Sequence, residues 1–366
     1  MKRTKVKSQI ATPQAKRPFI CALQLTDEQK AVVESVVTLS KPSQTLGGLA
    51  GTGKTTIVAF LVDRLRSFAC CAYTGKAADV LRSKGVEATT IHSLIYVPQD
   101  EDSDKRSRSP VFIKKDSIPY DGIIVDEASM VPAALYSDLI SFGIPIIFVG
   151  DHGQLEPVGE DIYLMNKPDF KLETVHRNAG DIALFAHHIR SGAAVRDFKE
   201  SSLVSIVSKS DSVKHLLDAD QIICARNETR VAINRYVRQL KGMVGDGPNI
   251  GDRVMSLQNS RRLGIFNGSQ GIVRSVSPTR ITICFSNGKT VKTGFSPNTF
   301  NQEKTLYDGM THPFDFAYAV TCHKAQGSEW NKVVVIEQIC PYWDHKRWAY
   351  TAASRAKKEL IWVVPD

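Results

Sequence analysis

No stretch of this 366-residue sequence approaches the ~20 consecutive apolar residues of a bilayer-spanning helix, although 42% of the residues are apolar, so a membrane-spanning helix is excluded. The seven cysteines, at positions 21, 70, 71, 224, 284, 322 and 340, form no C-x-x-C pair and no Cys/His cluster of zinc spacing. That excludes a metal-stapled or disulfide-framed scaffold and reads as reduced thiols of a cytoplasmic protein. Acidic residues are missing from the first twenty positions, where Lys2, Arg3, Lys5, Lys7, Lys16 and Arg17 supply six positive charges. This segment also lacks an apolar run, so it is no secretory signal; residues 1–20 read as a solvated, disordered arm with at most loose attraction to nucleic acid. There is no repeat of solenoid period and no nuclease motif. What remains is a globular chain long enough for two or three domains, with a formal charge of +9 that suits a polyanionic partner without requiring one.

Residues 48–55, Gly48-Leu-Ala-Gly-Thr-Gly53-Lys54-Thr55, form a G-x-x-x-x-G-K-T phosphate loop. Its glycines let backbone N–H groups wrap phosphates that a Cβ would hold off. Gly48, Ala50, Gly51, Thr52, Gly53, Lys54, Thr55 and Thr56 are therefore candidate nucleotide ligands, with Lys54 reaching the phosphates and the Thr55 hydroxyl on Mg²⁺. About seventy residues later, Ile123-Ile-Val-Asp126-Glu127 delivers two carboxylates at the end of an apolar strand. Asp126 is the candidate metal partner and Glu127 the group that polarises the attacking water. The pair of motifs implies hydrolysis of a nucleoside triphosphate, with ATP and Mg²⁺ as the bound species.

Between residues 25 and 165 the pattern alternates strand-like runs near 69–73, 122–125 and 145–149 with helices from Thr26 and over Thr55–Arg66, as in a parallel sheet with helices on its faces. Residues 97–117 interrupt this rhythm with a charged segment that reads as an inserted hairpin. A second α/β unit begins near His176, with strands near 221–224, 317–321, 333–337 and 360–364 and no phosphate loop of its own. Inside it, 253–257, 271–276 and 280–285 alternate with period two, and Asn267-Gly268 and Asn287-Gly288 mark tight turns between them.

Later motifs narrow the class. Gly150-Asp-His-Gly-Gln154-Leu-Glu-Pro-Val158, His176-Arg177-Asn178, Thr321-Cys-His323-Lys324-Ala-Gln-Gly-Ser-Glu329-Trp330 and Tyr350-Thr-Ala-Ala-Ser-Arg355-Ala-Lys-Lys358 follow in order. As a set they resemble superfamily 1 DNA helicases of the RecD/Dda-like branch, the short chain being most like the phage Dda type. Glu156 and Ser354 depart from a frequent Pro and Thr of that pattern. The resemblance implies an α/β fold of two RecA-like P-loop NTPase domains in tandem, at 21–165 and 166–366. A pin-like insertion in the first (97–117) and a small antiparallel β-barrel in the second (about 250–310) complete it. It implies an ATP-dependent 5′ to 3′ helicase acting on single-stranded and forked DNA as a monomer, with a single-strand-binding protein or replication and recombination proteins as partners. Arg177 and Arg355 stand at finger positions over the γ-phosphate, Gln154 at the sensor that couples the domains, and Glu329 at the ribose contact.

Gln29 matches the family's adenine reader, yet Thr26-x-x-Gln29 is equally a helix capping box. Thr74, Lys76, Thr90, His92, His323 and Lys324 match strand-contact motifs; for the threonines, local capping is the alternative. Phe112 either stacks on a base or belongs to the core of the inserted hairpin. Arg253, Arg261, Arg262, Arg274 and Arg280 either line a DNA channel or form a solvated basic face. A strand translocase that unwinds little, an RNA-directed motor and a catalytically silent scaffold are the competing readings; intact Lys54, Asp126, Glu127, Gln154 and Arg355 weigh against the last.

Overall fold

The computed structural model describes residues 24–98, 112–156, 164–175, 180–260, 262–304, 310–341 and 343–365. The first unit runs α1 (Asp27–Val36), β1 (Ser43–Gly48), α2 (Lys54–Arg64), β2 (Phe68–Ala72), α3 (Gly75–Ser83), β3 (Thr89–Thr90) and α4 (Ile91–Ile95). It continues through β4 (Tyr96–Pro98), β5 (Phe112–Lys114), β6 (Gly122–Asp126), α5 (Ala133–Ile140), β7 (Ile146–Gly150) and β8 (Phe170–Leu172). Its six-stranded parallel sheet has the order β3-β2-β6-β7-β1-β8. The central strands are buried on both faces, as a parallel sheet covered by helices requires. One face packs Leu46, Ile124, Ile147 and Val149 against α1, α2 and α3; the other packs Ile123, Val125 and Phe148 against α4 and α5. β8 lies beyond the expected boundary at residue 165 and pairs with β1, so the first sheet extends to Leu172. Three isolated residues carry too little periodicity to be assigned to a sheet from sequence.

β4 and β5 pair as an antiparallel ladder, Tyr96 with Lys114 and Pro98 with Phe112, within the span where an inserted hairpin is expected. Residues 99–111 between them lie outside the described residues, as do 1–23, 157–163 and 176–179.

The second unit comprises α6 (Gly180–Ser191), β9 (Val204–Val207), α7 (Lys209–Leu216), β10 (Gln221–Cys224), α8 (Asn227–Leu240), the inserted strands β11 (Arg253–Ser256), β12 (Gln270–Val276), β13 (Arg280–Phe285), β14 (Thr290–Gly294) and β15 (Phe314–Phe316), then β16 (Ala319–Thr321), α9 (Cys322–Ala325), β17 (Trp330–Ile336), α10 (His345–Ala353) and β18 (Ala356–Val363). Its parallel sheet is ordered β16-β10-β17-β18-β9. The inserted strands form a separate antiparallel sheet, β14-β13-β12-β11-β15.

That inserted sheet corrects the expected barrel: among the described residues, β14 and β15 are its two edges and do not pair with each other. Closure is unnecessary because its apolar face is covered otherwise. Val254, Val273, Ile281, Ile283, Phe314 and Phe316 pack into one core with Val237 of α8 and Ile222, Val334 and Ile361 of the parallel sheet. Two buried cations of α8 pin it further, Arg230 on Asp315 and Arg238 Nε 3.1 Å from Asp252 Oδ1. Asn287-Gly288 makes the tight β13–β14 turn, with Gly288 at φ 82°. Asn267-Gly268 instead closes a longer β11–β12 connection that carries its own Ser260–Ile265 bridge.

Candidate functional site

β1 ends at Gly48 and α2 begins at Lys54; the loop between them holds the candidate phosphate site. Gly53 precedes α2 at φ 84°, where other residues are strained, and leaves the helix start without a side-chain cap. The first N–H groups of α2, at the positive end of its dipole, are thus kept for an anion. A Cβ on Gly48 would lie 2.7 Å from Thr52 Oγ1 and 2.9 Å from Lys54 Cγ, so the loop closes this tightly only on glycine. Lys54 Nζ donates to Gly48 O (2.7 Å), Leu49 O (3.1 Å) and Asp151 Oδ2 (3.2 Å). Asp151, at the end of β7, is 1% exposed. Burial works against its charge, but Lys54, the Gly153 N–H, Tyr350 and the Gln154 amide hold its carboxyl below the usual carboxylate range.

Asp126 ends β6 and Glu127 follows in left-handed backbone (φ 54°), a conformation that costs a non-glycine residue ~1 kcal/mol and is common at working sites. Glu127 Oε2 is buried and has no hydrogen-bond partner among the described residues. Burial and the adjoining Asp126 push its carboxyl up to about 7; burial also raises Asp126. A buried carboxylate oxygen without a donor, beside the phosphate loop, fits a hydrated cation and an attacking water. No cluster of three or more ligating side chains exists among the described residues. Mg²⁺ is commonly bound by one or two protein groups, substrate phosphates and water, and Thr55 and Asp126 are the residues that would hold it here.

The two units meet at this site. Gln154 donates to Asp151 Oδ2 (3.2 Å), and its carbonyl accepts from Arg347 on α10 (3.2 Å). Leu155 N–H donates to Thr351 Oγ1 (2.9 Å), and Leu155 O accepts from Gln326 (3.0 Å). The segment after β7 is therefore threaded between α9 and α10. Arg355, just past α10, is 4% exposed and donates to Thr351 O (3.0 Å), Ser328 O (3.3 Å) and Ser354 Oγ (2.8 Å). Its charge is felt at Glu127 across the junction. Glu329 pairs with Lys357 (3.0 Å), whose charge keeps its carboxyl low despite burial. Arg177, the other expected finger, lies outside the described residues.

Gln29 adopts the capping alternative: its N–H donates to Thr26 Oγ1 (3.3 Å) and its Oε1 accepts from Thr26 N–H (3.1 Å). Its amide also donates to Thr52 O (3.0 Å), tying α1 to the phosphate loop. Both ends of the amide are used within the chain.

Thr74 and Thr90 cap α3 and α4, accepting from Ala77 N–H (3.1 Å) and Ser93 N–H (3.2 Å). The Thr74–Gly75 turn faces the second unit, with Phe266 and Gly327 packed against it. Lys76 lies over the Trp330 ring, 4.7 Å from its centroid, while His92 contacts Tyr96 and His323 contacts Trp343. Lys324 donates to Asn267. Thr74 and Lys76 thus lie on a seam with the second unit, where Lys324 reaches Asn267 beside Phe266, while His323 contacts Trp343 within the second unit; Thr90 precedes α4 and His92 lies in its first turn. Phe112, on β5, is 43% exposed. Arg253 is a structural cation bonded to Ala219 O and Asp220 O beside Tyr318, not a channel residue. Arg262, Arg274 and Arg280 are exposed, and Arg261 lies outside the described residues.

Sequence reasoning missed Asp151, Tyr350, His187, Arg347 and Thr351 as site residues. Asp151, Tyr350 and Thr351 lie within the quoted motifs and His187 and Arg347 outside them, but their contacts join partners up to 300 positions apart that meet only in the folded chain.

Residues 24–212 match a family model described as an AAA domain, and residues 316–363 match that of a UvrD-like helicase C-terminal domain. The ATP-dependent RecD2 DNA helicase of Deinococcus radiodurans is 28% identical over 372 residues, covering 92% of this chain and 48% of that protein. The RecBCD enzyme subunit RecD of Mycolicibacterium smegmatis is 26% identical over 413 residues, covering 91% and 70%. The chain thus spans about half the length of the first of these relatives. Bacteroides Pif1 in a crystal structure bound to single-stranded DNA superposes with a TM-score of 0.58 at 20% identity, over 94% of this chain and 95% of that one. A structure of two coordinating Pif1 helicases at forked duplex DNA superposes with a TM-score of 0.57 at 19% identity, over the same shares. The likeness establishes a shared fold of tandem α/β units.

Proposed function

Because the chain belongs to the AAA-domain family, we propose that it is an ATP-dependent DNA helicase that moves 5′ to 3′ along single strands and opens duplex DNA in replication, recombination or repair. The observation that carries the reading is the buried Glu127 carboxylate, whose Oε2 has no hydrogen-bond partner among the described residues, beside Asp126 and Lys54, with Arg355 of the second unit across the same junction. The relatives named as ATP-dependent helicase and as RecD support it, as does the fold shared with DNA-bound Pif1.

In this reading the α2 N-terminus and Lys54 bind the phosphates, and Glu127 takes a proton from the attacking water. Gln154 and Arg355, with Arg177, respond to charge on the transferred phosphoryl group. Mg²⁺ held through Thr55 and Asp126 supplies neutralisation of the phosphate charge. Gln29 is proposed to read adenine in addition to its cap, and Glu329 to contact the ribose. Thr74, Lys76, Thr90, His92, His323 and Lys324 grip the strand backbone without regard to sequence, and the hairpin with Phe112 parts the duplex. Action as a monomer, a single-strand-binding partner, a cytoplasmic site and the particular likeness to phage Dda belong to the same proposal.

ATP turnover with and without single-stranded DNA, measured beside strand separation of 5′-tailed and 3′-tailed duplexes, tests it. DNA-stimulated turnover with opening of the 5′-tailed substrate is the expected result. Turnover without strand separation leaves a translocase, and no turnover refutes the reading.

A further inference from the structure

Ala50, the third residue of the phosphate loop, is held at both ends of its backbone from the second unit. Its N–H donates to Tyr350 Oη on α10, and its carbonyl lies 3.1 Å from His187 Nε2 on α6. The two rings meet edge to face with centroids 6.1 Å apart. Tyr350 is fully buried, and its ring leans so closely on Gly153 that a Cβ there would lie 2.9 Å from Tyr350 Cε1 and 2.6 Å from Leu49 Cδ2. The Tyr350 hydroxyl donates a hydrogen bond to Asp151 Oδ2 (2.9 Å), the oxygen that also accepts from Lys54. One phenol thereby joins a backbone donor of the loop, the carboxylate on the phosphate lysine, and the helix that leads into Arg355.

We propose that Tyr350 and His187 are positioning residues that link nucleotide affinity to the placement of the second unit. The inference rests on the nucleotide-binding reading above and adds to it a contact outside the expected motif roles. Its logic is competition for donors. A triphosphate is recognised by loop N–H groups and by the Lys54 ammonium; here the Ala50 N–H is held by a phenol oxygen and Lys54 by a carboxylate. Binding of the triphosphate draws Lys54 from Asp151 and Ala50 from Tyr350, which loosens α10 from the first unit. By linkage, a strand that shifts α10 changes nucleotide affinity by the same factor.

Tyr350→Phe keeps the ring against Gly153 and removes only the oxygen. Displacement of a fluorescent nucleotide by a non-hydrolysable ATP analogue, on the full chain without nucleic acid, reads the effect. Affinity is expected to tighten about fivefold, the factor one net hydrogen bond carries. His187→Ala, which releases the carbonyl, moves affinity in the same direction by a smaller factor and serves as the second variant. The factor by which a single-stranded oligonucleotide alters nucleotide affinity is also expected to shrink in Tyr350→Phe. A role confined to packing predicts the opposite sign, weaker binding with a lower melting temperature. Unchanged or weaker nucleotide binding in both variants overturns the inference. Failure of the wild-type chain to bind nucleotide at all overturns the nucleotide-binding reading itself.

Discussion

Replacing Glu127 by glutamine is expected to stabilise the protein while stopping its chemistry. Glu127→Gln keeps the shape of the side chain and removes a charge that burial and Asp126 disfavour. A carboxyl near 7 in the folded chain and ~4.5 in the unfolded one amounts to ~3 kcal/mol of destabilisation once both are ionised, at ~1.4 kcal/mol per tenfold. The sign follows from the raised folded value: the unfolded chain releases this proton first. The penalty is therefore absent below about 4.5, grows as pH rises and is complete above about 7. Relaxation around the charge recovers part of it, leaving an expected gain of ~1–3 kcal/mol at pH 8. For a unit of this size that is roughly 2–4 °C of melting temperature per kcal/mol. Thermal melts with EDTA at about pH 4.5 and 8, beside ATP turnover with Mg²⁺, form the assay, and loss of the general base is expected to cost ~10²–10⁴ in rate. A melting temperature at pH 8 equal to or below wild type, or a gain that persists unchanged at pH 4.5, refutes the burial argument. Turnover near wild type refutes the assignment of the base.

Arg355→Ala is expected to lower turnover by ~10³–10⁵ with ATP binding retained, as for other arginine fingers; single-turnover hydrolysis beside nucleotide affinity checks it, and a loss of affinity alone points to a merely structural cation. Gln29→Ala removes the side-chain half of the capping box at α1 and the bond to Thr52 O, and is expected to cost ~0.5–2 kcal/mol in denaturant melts. An ATP-to-GTP preference unchanged in that variant sinks the proposed adenine role and leaves the cap. Replacing 97–117 by a short Gly/Ser turn is expected to spare DNA-stimulated ATPase and abolish unwinding of a 5′-tailed duplex. Phe112→Ala gives a milder version, since one base–aromatic stack is worth ~1–3 kcal/mol. Normal unwinding by the shortened chain reduces the hairpin to a surface loop, and loss of ATPase makes it part of the first unit's fold.

Local chemistry determined much of this protein before any folding. The glycines around Lys54, the apolar strand ending at Asp126-Glu127, the Thr26–Gln29 box and the Asn287-Gly288 turn each specify their geometry within a few residues, and all are found as the sequence implies. The parallel units were legible for the same reason, since strands buried on both faces leave unbroken apolar runs. Contacts between distant segments were decided only by the tertiary structure. Whether Phe170–Leu172 completes the first sheet depends on the free edge of β1, and whether the inserted strands close depends on what covers their apolar face. Arg253 became structural because a carbonyl pair and Tyr318 happen to meet it. The hold on Ala50 arises from residues 137 and 300 positions away, and no periodicity reports a hydrogen bond between chain segments that only packing brings together.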